Sequence, residues 1–420
     1  MQRNEQIEAA YRIAKERYAA LGVDTEEALR RLQDIQVSVH CWQGDDFHGC
    51  EAQGGELTGG IMATGNYRGR ARNAEELRQD YEKAFALLPG KQRANLHAIY
   101  LETGGVPIER NAIEARHFEG WMQWADELGI ALDFNTTAFS HPKADGYTLA
   151  SRDPNIRDYW IEHGRRCRRI AAEMGRRQGN ACMLNHWLPD GRKEFPVDSF
   201  ERRKVFMESM DAMIQEKFDK QCMMDAIESK LFGLGMESFT VGSAEMCFGY
   251  ALSRNIVLTY DLGHFHPTES VADKISSTLL YLDHIMLHTS RGVRWDSDHV
   301  VIQNDELSLL MKEVVRCNAL DRVSIGLDFF DASINRIAAW VIGTRSTQKA
   351  LLTALLEPIE LLREMERDDV TARLALLEEC KNMPGNAVWD YFCEKNEVPV
   401  GMEWFEEVKK YEETVLAERS

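Results

Sequence analysis

Apolar positions follow two alternating rhythms along this chain. Ile7, Ala10, Tyr11, Ala14, Tyr18 and Leu21 fall at helical spacing, which predicts an opening amphipathic helix. Asp24, with Glu27 three positions on, begins a second helix as a capping box. Val37–Trp42 then alternates as a first strand. From Asn73 the pattern becomes regular: Leu77, Tyr81 and Phe85 share a helical face that Pro89-Gly90 closes, and Ala94–Leu101 reads as strand two. Phe118, Trp121, Met122 and Ala125 mark a helix stopped near Gly129, followed by strand three over Ile130–Phe134. Asp153-Pro154 opens a helix by cap and first-turn proline, Gly179 follows its end, and Ala181–Trp187 is strand four. Helices over Asp198–Phe218, Ser243–Leu252, Val271–Leu282 and Asp305–Cys317 then alternate with strands at Met224–Leu231, Ile256–Tyr260, Ile285–His288 and Val323–Phe329.

Strands with nearly continuous apolar cores, alternating with helices, imply a parallel sheet covered by helices. About eight such units suggest a closed (β/α)8 barrel, the TIM barrel. An open doubly wound sheet is the alternative, but the dinucleotide-binding GxGxxG after the first strand is missing. After Arg336 the strands stop, and the chain reads as helical to its end, broken by Pro358, Pro384-Gly385 and Pro399. The expected organisation is a barrel with N-terminal helices over residues 1–345 and a helical extension over 346–420, packed on the barrel or on another subunit. Gln43–Arg72 is glycine-rich with little periodicity, as lids, binding loops and contact surfaces are. Its glycines do not match a phosphate-binding loop.

Charge narrows the partners. A net charge of -18 argues against nucleic acid or an anionic membrane, both of which require a basic face. No stretch approaches a membrane span, and the polar start lacks the order of a signal peptide. Nine scattered cysteines without a CxxC pair are expected to be free thiols in a reducing cytosol. The run Arg165–Arg169 reads as a solvated helix face or a subunit contact.

In a barrel of this kind the active site lies where strands end and their following loops begin. Groups able to bind metal gather there: Glu228 and Lys230 on strand five, Asp261 and His264 after strand six, and His288 ending strand seven. Asp296 and Asp298 follow in the loop beyond, and Asp328 and Asp331 end strand eight. Glu228 and Lys230, two apart, would point to one side of a strand. Singly, each has an ordinary reading as an ion pair, a helix cap or a hydrogen-bonded core histidine. Together they would have to fall at strand ends by coincidence. A carboxylate-rich shell with one or two imidazoles suits Mn2+ or Mg2+ better than a structural zinc. The ligands suffice for two ions, and Asp261 is placed to touch both. His97 and Trp187, late in strands two and four, are candidate walls of a substrate pocket. Asn185 and His186 stay open.

Several long motifs resemble the L-rhamnose isomerases: Val39–Asp46, Leu57–Gly60, Asp261–Glu269, Val293–Val300 and Gly326–Arg336. The likeness covers nearly the whole chain. It implies a barrel homotetramer that converts L-rhamnose to L-rhamnulose with two divalent ions per subunit, Mn2+ foremost and Mg2+, Co2+ or Zn2+ as alternatives. By that likeness His264, Asp296 and Asp298 hold the catalytic ion, and Glu228, Asp261, His288 and Asp328 hold the second. A hydride shift from C2 to C1 would then use Lys230 to steady charge on O1 and Asp328 to orient water. The enediol route needs a carbon base, for which Glu228 is the nearest candidate.

Two other functions remain compatible with such ligands. A metal-dependent hydrolase of phosphate esters would carry a basic rim, which the net charge disfavours. A sugar-binding protein without catalysis would not require open metal sites.

Overall fold

Eight strands pair side by side, all parallel, into a closed barrel: β1 (Val37–His40), β2 (Gln92–His97), β3 (Ala131–Asn135), β4 (Cys182–His186), β5 (Met223–Glu228), β6 (Val257–Asp261), β7 (Ile285–Thr289) and β8 (Val323–Leu327). The ring closes where Val37 and Ser38 of β1 pair with Ile325 and Gly326 of β8. The open sheet is thereby excluded. This computed structural model describes residues 3–45, 49, 65–144, 146–230, 238–293 and 295–419, except the side chains of Asp45, Trp295, Asp296 and Ser297. Most of the glycine-rich segment, including Leu57–Gly60, lies outside the described residues.

Helices connect successive strands and cover the outside, as the alternating pattern requires. Asp24 and Asn73 cap their helices as expected, Asp24 accepting from the Glu26 and Glu27 amides and Asn73 from that of Glu76. Pro154–Gln178 starts at the Asp153 cap and stops at Gly179, whose φ of 69° is open to glycine. Every residue of β3, β4, β6 and β7 is buried, which matches the continuous apolar runs.

Three boundaries differ for local reasons. Strand pairing in β2 ends at His97, and Ala98–Tyr100 turns instead, with Trp121 Nε1 donating to Tyr100 O at 2.8 Å. A buried turn and a buried strand look alike in hydropathy. The helix begun near Asp198 spans Ser199–Met213 and stops short of Phe218, because the buried Arg168 guanidinium takes the Met213 and Glu216 carbonyls. β5 ends at Glu228, so Lys230 lies two residues beyond the strand and not on it.

Beyond the barrel, Arg336–Leu355 is followed by helices Ile359–Asp368, Val370–Cys380, Gly385–Lys395 and Glu403–Thr414. Tyr411 Oη and Arg419 Nη1 each reach Asp80 of helix Ala74–Phe85 at 2.7 Å, which docks this region on the barrel wall. Every described cysteine is a free thiol. No helix among the described residues is long and apolar enough to cross a membrane.

Candidate metal centre

Alternation along a strand sends every second side chain into the bore. Glu228 follows Met224 and Ala226 inward on β5, Asp261 follows Val257 and Thr259 on β6, and His288 follows Met286 on β7. Asp328 comes directly after β8. All four arrive at the carboxyl rim, where one ligand atom from each of Glu228, Asp261, His288 and Asp328 lies within 4.8 Å of the others. His288 Nδ1 sits 3.2 Å from both Glu228 Oε2 and Asp328 Oδ2. The tight turn after β6 brings a fifth group: Gly263 N–H donates to Asp261 Oδ1 at 2.6 Å, and His264 Nδ1 comes within 3.2 Å of Glu228 Oε1.

Neighbouring side chains aim these groups. Asn185 Nδ2 donates to Glu228 Oε2 at 2.5 Å, and Asn185 Oδ1 accepts from Thr259 Oγ1 at 2.9 Å. Ser290 Oγ donates to Asp261 Oδ1 at 2.7 Å, and Trp42 Nε1 donates to Asp328 Oδ1 at 3.0 Å. Asp261 Oδ2 has no hydrogen-bond partner among the described residues.

Three carboxyls crowded against imidazoles in a buried bore perturb one another. Burial pushes the Asp261 carboxyl up, and the like charges of Asp328 and Glu228 add to that against the opposing pull of His264. Burial works against charge on His288 as well, yet the Glu228 and Asp328 carboxylates hold it well above the ordinary imidazole value. Asp328 is lowered despite burial because it hydrogen-bonds His288. Such a cluster is costly without a cation. A set of three carboxylates and one imidazole, one carboxylate oxygen of which is unpartnered among the described residues, fits a divalent ion that prefers oxygen ligands.

The remaining expected residues are placed as follows. Past β7 the chain forms an antiparallel ribbon, Arg291–Val293 with Trp295–His299. Asp298 adopts φ 42°, and its carbonyl accepts from Phe330 N at 3.1 Å, so the ribbon returns to β8 next to Asp328. The Asp296 side chain lies outside the described residues. Lys230 is buried, with Nζ donating to Pro189 O at 2.7 Å. Asp331 Oδ1 accepts from Ser333 N at 2.8 Å, a turn cap away from the cluster. The His97 ring lies 4.3 Å from Trp42 and 5.4 Å from Phe139, which in turn is 5.8 Å from Trp187. Those four rings form one aromatic wall.

Of the two open residues, Asn185 faces the cluster and His186 faces away, its Nε2 2.9 Å from Asp225 Oδ1. Arg168 grips both oxygens of the same Asp225. The arginine run is therefore not wholly solvated: Arg168 is 2% exposed, whereas Arg169 is paired with Glu216 at the surface. Sequence reasoning missed Trp42 and Phe139 as parts of this site. Trp42 had a usable signal, because it ends a strand-like run as the other site residues do; Phe139 lies in a loop and had none.

A family model described as L-rhamnose isomerase (RhaA) matches residues 5–419. An L-rhamnose isomerase of Klebsiella pneumoniae is 55% identical over 416 residues, covering 99% of each chain. One from Pectobacterium atrosepticum is 55% identical over 415 residues, 98% of this chain and 99% of that one. Among solved structures, an L-ribulose 3-epimerase superposes with a TM-score of 0.48 at 12% identity, covering 76% of this chain and 95% of that chain.

Proposed function

Because the chain belongs to the L-rhamnose isomerase family, and is thus an isomerase, we propose that it interconverts L-rhamnose and L-rhamnulose. The observation that carries this reading is the convergence of Glu228, Asp261, His288 and Asp328 within one 4.8 Å set at the rim of the barrel. These four residues hold one divalent ion, and His264, Asp296 and Asp298 hold a second. Manganese is the first candidate, ahead of magnesium, cobalt and zinc. Bound there, the ions supply Lewis-acid polarisation of the sugar oxygens and offset the clustered negative charge.

The chain's own residues do the rest. The wall of Trp42, His97, Phe139 and Trp187 shields the reacting carbons from bulk water and orients the sugar. Lys230 presents a buried ammonium to charge developing on O1. Asp328, steered by Trp42, positions the water that carries a proton between O2 and O1. Hydride moves from C2 to C1 directly. Glu228 is poorly suited as a carbon base, since Asn185 and two imidazoles already engage its oxygens. The protein acts as a homotetramer in the cytoplasm, a setting that suits its free thiols. Residues 1–345 form the catalytic unit and 346–420 a helical extension.

The decisive assay follows L-rhamnulose formation from L-rhamnose after chelation and after stepwise return of Mn2+. Activity must vanish and then recover. The same assay in deuterated water must leave C1 of the L-rhamnulose formed essentially free of solvent deuterium; substantial incorporation there overturns the hydride route.

A further inference from the structure

Followed around the barrel, the strand registers stack the bore in levels. Asn95, Asn185, Thr259 and Gly326, one from each even-numbered strand, stand at one level. His40, Asn135, Glu228 and His288, one from each odd-numbered strand, stand at the next level toward the rim. The hydrogen bonds from Thr259 to Asn185 and from Asn185 to Glu228 follow this stacking. They satisfy the Asn185 amide and leave a contrast across the bore. Asn95 is completely buried, yet neither its Nδ2 nor its Oδ1 has a partner among the described residues. Asn135 Oδ1, His40 Nδ1 and His288 Nε2 are in the same position.

His288 turns Nδ1 to the carboxylates, so Nε2 points elsewhere. A Cβ at Gly326 would come within 3.3 Å of His288 Cδ2, the ring carbon bonded to Nε2. That edge of the imidazole therefore faces Gly326, which stands at the same level as Asn95. A metal-ligating histidine that binds through one nitrogen nearly always donates its other N–H to a carboxylate, carbonyl or water. Here no acceptor among the described residues serves. Buried polar atoms left without a protein partner are where an ordered water resides.

We infer that a buried water site lies in the bore directly beneath the metal set, held by Asn95 and Asn135, and accepts the proton of His288 Nε2–H. The inference rests on the metal reading proposed above. Asn95 is then a positioning residue: through this water it fixes the tautomer and ring orientation of His288.

Calorimetric titration of chelated protein with Mn2+ tests it, on wild type, Asn95→Leu and Asn95→Ala. Leucine fills the site and expels water, and should weaken binding about 10- to 100-fold. Alanine enlarges the site and lets a second water stand in, so affinity should stay within about threefold of wild type. A purely structural asparagine predicts the reverse order, with the cavity worse than the filled core. Equal affinity in all three proteins overturns the inference, as does an alanine variant weaker than the leucine one. If Asn95→Leu does not fold, a high-resolution crystal structure of metal-loaded wild type decides: ordered density within hydrogen-bonding reach of His288 Nε2 and the Asn95 amide upholds the site, and its absence overturns it. Wild type that takes up no divalent ion refutes the metal reading itself, which separates the two failures.

Discussion

The Trp42 indole donates to Asp328 Oδ1 across 3.0 Å, so this side-chain hydrogen bond helps tie the ends of the first and last barrel strands at the rim. Replacing Trp42 by Phe keeps a ring against His97 and removes only the donor. Titration calorimetry of Trp42→Phe with Mn2+ should show affinity reduced about tenfold, as for loss of an outer-shell partner. Unchanged affinity would mean that Asp328 is oriented without it.

Chelation should also lower thermal stability, because a cluster of buried carboxylates is left without its cation. Mn2+ at 100 times its dissociation constant adds about 2.7 kcal/mol to the folded state. Differential scanning calorimetry should therefore record a Tm that rises with Mn2+ concentration. A Tm indifferent to divalent ions would count against a metal in this set.

Asn185→Ala strips Glu228 Oε2 of its 2.5 Å donor and leaves Thr259 Oγ1 unanswered. Steady-state assays should find kcat reduced about 10- to 100-fold, by analogy with other outer-shell losses. KM should change little, since Asn185 lies beneath the ligands and not against the sugar.

A pH effect arises away from the metal set. Burial lowers His163 to about 3, and its neutral ring is used twice, Nε2 accepting from Thr137 N and Nδ1–H donating to Arg110 O. The unfolded value is about 6.5, so the folded state binds fewer protons. This stability is complete above about pH 6.5 and is lost as pH falls toward 3, by about 1.4 kcal/mol per unit. Urea unfolding between pH 7 and 5 should steepen accordingly, and His163→Gln should flatten the dependence by about one proton.

Arg168→Leu leaves the Asp225 carboxylate buried with only His186 for company. Removing one partner from a buried ion pair costs about 3–5 kcal/mol. The unfolding free energy from denaturant titration should fall by that amount, while turnover per folded molecule stays near wild type. A solvated arginine would produce almost no change.

Legibility in the sequence followed a physical divide. Strand cores and the clustered rim residues could be read because an apolar run that ends on Asp261 or His288 carries an ionisable group into the interior, and a buried carboxylate is tolerable only beside a partner. Caps such as Asp24 and Asn73 were equally local. Asn185 and His186 could not be separated, since which neighbour faces the bore depends on register with β3 and β5. Arg168 hid within a charged run because one helical face turns inward toward Asp225, a residue far along the chain. Lys230 was assigned to a strand by spacing alone, although pairing stops at Glu228.

Ring closure through Val37–Ile325 and Ser38–Gly326 has a cost in time. At about 5–20 residues per second, on the order of 15 to 60 s separate the emergence of the two partners from the ribosome. Throughout that interval β1 presents a bare edge, and the sheet is an unfinished arc open to adhesion by other chains. The nascent polypeptide, more than the finished cylinder, is the form most exposed to aggregation, and chaperone-assisted production protects that stage.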